Sequence, residues 1–421
     1  MKYDPSLLDF LRTAPFEAHE ASIAVDYDFA GSEKALGIYG SAYRQTICNW
    51  MNLRRFEPVK HSPVNPLINA LILVCVVLYA AVWIVAHIRV KPRGAPAQVV
   101  FDTIGDPRER HFHKLAENYR ILRRGDEVRC AQVKPSHAVP LLTMIWVDLK
   151  TIYSFCKALP SPVFKQMAKL PIKRAAWRVY FERTPTKAFF ARDDYNAEHH
   201  IRHAELKRIN ARHVGLCHAI TDCPTLSAQR RHVKFDAYLV PVGPWAALYE
   251  KTWPKDMKVI TVSPFDLPPG EKIENRGDGI AVFIKDTFQR ERMVDLAFCL
   301  AIAFPERKIY IKQKRYAPIY VGESGIEIWT APTVQLMPLI SHSFSDPSNV
   351  LVECLRAKIP AWCVLLDDRW RGVYWNRYGL VVKSAGEALM TIDKPYPWDT
   401  ANEALGPCQD VYIAARREMG L

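Results

Sequence analysis

Residues 341–360, SHSFSDPSNVLVECLRAKIP, carry the strongest structural signal in this chain. A small polar cluster opens a run with the apolar spacing of an amphipathic helix, and residues 359–366, IPAWCVLL, have the composition of a buried strand. Either Asp346 or Ser348 caps this helix by accepting a hydrogen bond from its first turn. Other amides of that turn are then available to an anion such as a diphosphate. A capped crossover helix in an ordinary α/β sheet is the simpler interpretation.

Short apolar runs alternate with helical periods from residue 186 onward, which is typical of parallel βαβ units. Another helix is predicted at residues 109–122. Proline-rich residues 254–270 are the best candidate for an interdomain linker. We predict two Rossmann-like domains, at residues 97–253 and 254–400, and a C-terminal helix at 401–421. Strands are predicted at residues 188–191, 213–217, 235–240, 259–262, 279–283, 308–312 and 326–330.

The composition is that of a folded, basic protein. The chain has 421 residues, 49% of them hydrophobic and 24% charged, with a formal net charge of +13. Such a charge favours anionic partners, which include nucleic acids, anionic lipid surfaces and phosphorylated substrates. No zinc-finger spacing, RNP-like aromatic pattern or basic heptad region occurs, so we predict no nucleic-acid partner.

An uncharged apolar segment precedes the predicted domains. Residues 67–88, LINALILVCVVLYAAVWIVAHI, match the length of about 20 residues that crosses a hydrocarbon core. We predict a membrane helix at residues 66–92, after an N-terminal segment (1–65) whose role the pattern does not reveal. Lysines and arginines after the helix predict the inner (cytoplasmic) membrane, with the domains facing the cytoplasm and the basic surface on anionic lipid. A spanning helix and a re-entrant or interfacial anchor both remain open.

A polar cluster follows a predicted strand in the first domain. Asp193 and Asp194 come where a strand ends and a helix begins, and ligands in open α/β sheets bind at such ends. Helix capping explains one of these carboxylates and part of the second. His199 and His203 share one face of the next helix. Without a third ligand, we predict that this pair is solvated or faces the cleft and does not bind zinc.

Two blocks of this sequence resemble GT-B-fold glycosyltransferases of the bacterial surface or capsular polysaccharide biosynthesis type. Residues 341–360 resemble the donor-side segment of those enzymes, and residues 189–218 resemble a block of their first domain. With the pattern between them, the resemblance covers roughly residues 185–385. It implies a GT-B-like α/β fold, in which two Rossmann-like domains face a cleft and the second holds a nucleotide-sugar. Position 219 is alanine, where the family commonly has glycine.

The resemblance also implies site residues. His218 is implied as the general base or a donor-phosphate contact, and Asp193 or Asp194 takes the role of base if His218 does not. Histidine suits a base because its ordinary pKa lies near neutrality. The implied donor-binding residues are Thr287, Lys312, Lys314, Arg315, Glu327, Ser345, Ser348, Asn349 and Glu353.

The sequence therefore predicts a membrane-associated glycosyltransferase. It would move a sugar from a nucleotide-sugar donor to a lipid-linked or surface glycan acceptor. The predicted domains contain no Asp-x-Asp triplet of the kind that holds Mn²⁺ or Mg²⁺, so we predict metal-independent transfer with no cofactor. Two alternatives remain: a CDP-glycerol-type polyol-phosphate transferase, and a non-catalytic membrane scaffold of a polysaccharide assembly complex.

Overall fold

A computed structural model describes most of the chain. The described residues are 34–56, 66–88, 98–102, 109–116, 119–122, 128–129, 132–191, 196–217, 220, 230–267, 273, 277–285, 289–313, 319–322, 324–366 and 373–421.

Six of the described strands form a parallel N-terminal sheet in the order β2-β1-β3-β4-β5-β6. The chain order reverses between β1 and β3, which makes this a flavodoxin-like arrangement. The central strand β3 is buried on both faces, and this explains its uninterrupted apolar sequence AFFA. The strands are β1 Val99–Asp102, β2 Tyr119–Leu122, β3 Ala188–Ala191, β4 Arg212–Leu216, β5 Ala237–Val240 and β6 Lys258–Thr261.

The C-terminal sheet is also parallel and has the order β12-β11-β10-β7-β8-β9. Numbered within its own domain and read from β9, this order is 3-2-1-4-5-6, the Rossmann arrangement, with its switch point between β7 and β10. The predicted α/β class with two Rossmann-like domains is confirmed by these two sheets. The strands are β7 Gly279–Ile284, β8 Ile309–Gln313, β9 Ile326–Ile328, β10 Ile340–Ser345, β11 Ala361–Val364 and β12 Val381–Val382.

Helices cover the sheets and form a further cluster. α1, α2, α4 and α5 pack on one another around a core of their own, which includes Ile145, Leu149, Phe164 and Met167. The helices are α1 Gly40–Phe56, α2 Pro66–Ile88, α3 Glu109–Phe112, α4 Pro135–Cys156, α5 Ser161–Arg183, α6 Glu198–Arg208, α7 Gly243–Ala247, α8 Arg290–Ala303, α9 Thr333–Leu336, α10 Asn349–Arg356, α11 Ala385–Ile392, α12 Trp398–Leu405 and α13 Val411–Met419.

Two helices of this cluster leave apolar faces exposed. α2 and α4 are both long enough and apolar enough to cross a membrane, with mean hydropathies of 2.7 and 1.3. The sequence prediction included α2 and missed α4, whose Pro140 and Asp148 interrupt its apolar run. On α2, Leu71, Leu78 and Val82 are each more than half exposed.

The chain passes between the sheets in two places, and these places differ from the predicted boundaries. β6 follows residue 254, yet it pairs in parallel with β5 and so belongs to the N-terminal sheet. Residues 401–421 contain the end of α12 and then α13, which packs on the N-terminal sheet with Val411 and Ala415 in its core. The two passages touch, because Gln409 donates its backbone N–H to Thr261 O at 2.9 Å and accepts one from Ser263 N at 2.8 Å.

The helix predicted at residues 109–122 is wrong. Among the residues of this range that the structure describes, 109–116 and 119–122, α3 alone is helical, and Tyr119–Leu122 form the edge strand β2, paired with β1. The tetrapeptide YRIL is too short for its periodicity to separate helix from strand, and pairing with β1 settles its conformation.

Candidate functional site

A cavity of about 500 Å³ lies between the two sheets, at the carboxyl ends of their strands. From the N-terminal domain it is lined by residues that end or follow β4, β5 and β6, among them Cys217 and Pro241. From the C-terminal domain it is lined by Lys312, Asn349 and Glu353, all predicted donor-binding residues. Open α/β sheets bind ligands at this edge.

The turn from β10 into α10 occupies the switch point of the C-terminal sheet. The Asp346 carboxylate accepts hydrogen bonds from the backbone N–H of Lys285, at 2.8 Å, and from the side-chain amide of Gln289. Asp346 thereby joins the end of β10 to the loop after β7. Ser348 is the N-cap of α10, since its Oγ accepts a hydrogen bond from Val350 N at 3.3 Å.

Ser345 and Ser348 support this turn from within the protein. Ser345 Oγ donates to Asp346 O at 2.8 Å and lies 3.1 Å from Ser348 Oγ. Ser345 is 1% exposed and Ser348 is 7% exposed, and neither residue lines the cavity. Their predicted roles in donor binding stay predictions, while their contacts show how they fix the start of α10.

The first turn of α10 faces the cavity and contacts the other domain. Asn349 and Glu353 are four residues apart and share one face of the helix. Asn349 Oδ1 accepts a hydrogen bond from the backbone N–H of Ile220 at 2.9 Å. The opposite face of α10, including Leu351 and Cys354, is buried in the core. The amphipathic pattern of this helix thus determines which polar side chains reach the cavity.

Lys312 brings a cation into the cavity. It lies within β8, near the carboxyl end of the strand that the sequence predicted at residues 308–312. Its Nζ donates a hydrogen bond to Ala331 O. Burial lowers the pKa of Lys312, and the nearby Glu353 carboxylate opposes this by favouring the charged form. The cavity therefore contains an interacting cation and carboxylate on neighbouring elements.

The other predicted residues divide into two groups. Glu327 lies on the edge strand β9, where its Oε2 is 3.1 Å from Lys308 Nζ, and it does not line the cavity. Its predicted contact with the nucleotide stays a prediction. Asp193, Asp194, His218, Thr287, Lys314 and Arg315 lie outside the described residues.

A histidine that the sequence did not single out lines the N-terminal side of the cavity. His111 Nε2 is 3.1 Å from Asp266 Oδ1, and its Nδ1 is 2.6 Å from the Tyr412 hydroxyl oxygen. The ring stacks on Phe265. Asp266 also lines the cavity, with 39% of its side chain exposed. His111 thus holds in place a carboxylate that is open to the cavity. No local pattern signals this group, because it joins α3, the segment after β6 and α13.

The predicted location of the His199–His203 pair is wrong. Both side chains are buried, because α6 packs its histidine-bearing face against the N-terminal sheet. His203 Nδ1 lies 3.3 Å from His213 Nδ1, and the rings of His199 and His200 are 4.0 Å apart. Within the part of the chain that the structure describes, no group of three or more His, Cys, Asp or Glu residues is placed to hold a metal ion.

No protein-family model and no curated protein matches this sequence. Similar solved structures include UGT2 of Phytolacca americana complexed with UDP-2fluoro-glucose and pterostilbene, at 10% identity and a TM-score of 0.43, covering 78% of this chain and 94% of UGT2. MurG of Acinetobacter baumannii has 10% identity and a TM-score of 0.42, covering 77% and 99%. The glycosyltransferase SnogD from Streptomyces nogalater has 13% identity and a TM-score of 0.41, covering 77% and 96%. All three TM-scores are below 0.5, so the proposed function rests on the site itself.

Proposed function

We propose that this chain is a glycosyltransferase that uses a nucleotide-sugar donor. The observation that carries the proposal is the shared cavity, where the carboxyl ends of both parallel sheets meet around Lys312 and the first turn of α10. A transferase needs a donor site and an acceptor site that face each other, and a cavity lined by both domains supports this proposal.

In this proposal the C-terminal domain binds the donor. The Lys312 ammonium group and the amides that begin α10 contact the diphosphate, which gains negative charge as the nucleotide leaves. Glu353 accepts hydrogen bonds from ribose or sugar hydroxyls. These groups stabilise the leaving group by themselves, so the transfer that we propose is metal-independent. Lys314 and Arg315, which follow β8 in sequence, are proposed to add to the positive charge.

The N-terminal domain supplies the proton acceptor in this proposal. His218 keeps the role because its neighbour in sequence, Cys217, lines the cavity, and because Ile220 contacts Asn349. Asp193 and Asp194 remain proposed alternatives to it. We propose Asp266 as a further candidate for the proton acceptor, because His111 holds its carboxylate at the cavity.

Membrane association is also part of the proposal. The exposed apolar faces of α2 and α4 favour contact with lipid, and Trp146 on α4 is half exposed. We propose that the protein works at the inner (cytoplasmic) membrane, with its domains in the cytoplasm, on a lipid-linked or surface glycan acceptor. A basic surface on anionic lipid agrees with the formal charge of +13.

Donor binding is tested by calorimetric titration with UDP, GDP, CDP and CMP. We expect one of them to bind, and Lys312→Ala to weaken it about 10- to 100-fold, because a hydrogen bond to a charged group contributes about 1.5–3 kcal/mol. Lys394→Ala, at an exposed lysine that does not line the cavity, is the matched control. Absence of binding to all four nucleotides would favour the scaffold alternative, and preference for CDP would favour the polyol-phosphate transferase.

The acceptor side is tested separately with Asp266→Asn. If Asp266 accepts the proton of the acceptor hydroxyl, the kcat of sugar transfer in Asp266→Asn falls about 10²-fold or more, while the Kd of the donor nucleotide stays unchanged. Asp399→Asn, at an exposed carboxylate on α12, is the control. An unchanged kcat in Asp266→Asn would remove Asp266 from the candidates and leave His218, Asp193 and Asp194.

A further inference from the structure

A second, larger cavity of about 920 Å³ runs along α2, away from the cavity between the two sheets. One wall is the apolar stripe Ile68, Leu71, Ile72, Cys75, Val76 and Tyr79. The opposite wall belongs to α5 and carries three lysines, Lys165, Lys169 and Lys173. We call this feature the lysine groove. Its volume lies within the range of about 300–1,000 Å³ that is usual for ligand pockets.

The two walls run side by side. Residues 68–79 of α2 recur three and four positions apart, so they form one stripe about 16 Å long at a rise of about 1.5 Å per residue. The three lysines recur every four residues along about 12 Å of α5. Lys165 and Lys169 are exposed, and Lys173 Nζ lies 3.4 Å from Glu198 Oε2. A strip of ammonium groups therefore borders a strip of hydrocarbon over most of its length.

This geometry bears on how α2 meets a membrane. If α2 spanned the bilayer, the lysine row beside it would occupy several depths, at a cost of about 2.5–3.5 kcal/mol for a lysine near the centre. If α2 lies in the plane of the interface, the exposed ammonium groups of Lys165 and Lys169 reach the phosphates together. Its exposed side chains, such as Leu78 and Val82, then enter the acyl region. The lysine row favours the interfacial arrangement.

We propose that the lysine groove binds one anionic phospholipid while α2 lies in the membrane plane. An acyl chain would lie on the apolar stripe, and the phosphate would lie beside the exposed Lys165 and Lys169. Charge complementarity selects this occupant, because the groove pairs an apolar wall with a row of cations. The inference rests on the proposed membrane association and not on the transferase chemistry.

The test uses the full chain and vesicles of phosphatidylcholine with or without phosphatidylglycerol. We expect the wild type to bind preferentially to the vesicles with phosphatidylglycerol. Lys165→Gln/Lys169→Gln should weaken this binding about 30-fold, at about 1 kcal/mol for each lysine near the surface. The control is Lys150→Gln/Lys157→Gln, which removes the same charge from two exposed lysines that do not line the groove. Equal weakening in the two double variants would overturn the proposal, because only overall charge would then matter.

Native mass spectrometry of detergent-purified protein tests occupancy. The wild type should retain one phosphatidylglycerol, and Val76→Trp, which fills the groove at unchanged charge, should lose it. Retention by Val76→Trp, or preference of the wild type for a polyprenyl phosphate in direct competition, would overturn the assignment to phospholipid. Nucleotide titration of the same variants should match the wild type, so a failure here is distinguishable from a failure of the donor site.

Discussion

Replacing Glu205 by glutamine is expected to lower the free energy of unfolding by about 3–5 kcal/mol, the usual cost of breaking a buried ion pair. The Glu205 side chain is 2% exposed and accepts hydrogen bonds from Arg174, Arg178 and Arg208 at 2.9–3.1 Å. Burial by itself raises the pKa of Glu205, but the bonds from Arg178 and Arg174 outweigh it and hold the pKa below its ordinary value. Without the carboxylate, the three arginines that it joins between α5 and α6 lose a shared buried acceptor, while Arg174 keeps Asp148 and Arg208 keeps Glu182 as partners.

Urea unfolding of Glu205→Gln against Glu182→Gln provides the measurement. Glu182 contacts the same Arg208, at 3.4 Å, but 32% of its side chain is exposed, so its removal should cost less than about 1 kcal/mol. Equal losses in the two variants would contradict the prediction. Glu205 on α6 binds Arg174 and Arg178 on α5, so its loss should also weaken the attachment of the helix cluster to the N-terminal domain.

The second large effect concerns pH. Between pH 7.5 and pH 5, we expect the thermal unfolding midpoint to fall steeply. Burial lowers the pKa of His203 to about 4 and that of His232 to about 3. Burial also places the pKa values of His199, His200 and His213 well below their ordinary range. Arg202 and Lys234 add repulsion around these rings, while Asp236 partly opposes the shift at His203.

Proton linkage determines whether the free energy of unfolding rises or falls with pH. In the unfolded chain a histidine takes up a proton near pH 6.5, whereas the folded protein keeps these rings neutral. Stability is therefore complete above about pH 6.5 and is lost as the pH falls through that value toward 4 and 3. At pH 5 each fully shifted ring costs about 2 kcal/mol. Together they approach the total stability of a domain, about 5–15 kcal/mol.

A matched pair of variants isolates this effect. His213→Gln removes one buried ring and should reduce the dependence of the unfolding free energy on pH by about 1.4 kcal/mol per pH unit between pH 6 and 5. His137→Gln, which removes an imidazole ring from a side chain that is 45% exposed, is the matched control. The comparison uses the change in unfolding free energy per pH unit and not its absolute value. A loss of packing in His213→Gln that is independent of pH therefore does not affect the conclusion. Equal slopes in both variants would contradict the assignment.

Local sequence predicted those parts of the molecule that local interactions determine. The segment from β10 through α10 to β11 was predicted because its strand, N-cap and apolar spacing are contiguous, and Ser348 is indeed the cap. Asn349 and Glu353 share the cavity because helix periodicity puts them on one face. Lys312 lines the same cavity because it lies near the carboxyl end of β8, at the edge of the parallel sheet where α10 begins.

Tertiary contacts determined what the sequence did not predict. His111, Asp266 and Tyr412 come together through three elements that are far apart in the chain. Residues 254–270 have the proline-rich pattern of a linker, and the strand predicted within them was assigned to the second domain, yet pairing with β5 places Lys258–Thr261 in the N-terminal sheet. His199 is a polar residue that the sequence predicted to be solvated or to face the cleft, and it is buried because α6 packs on the N-terminal sheet.

The contact between the two chain passages limits how the cavity can change its width. The backbone of Gln409 is hydrogen-bonded to residues 261 and 263. The two domains are therefore connected by two segments that are bonded to each other, and not by one isolated segment. Two adjacent connections resist twisting and separation but permit bending about the line through them. Opening and closing should therefore follow a hinge with one rotational freedom, which carries Asn349 toward or away from Ile220.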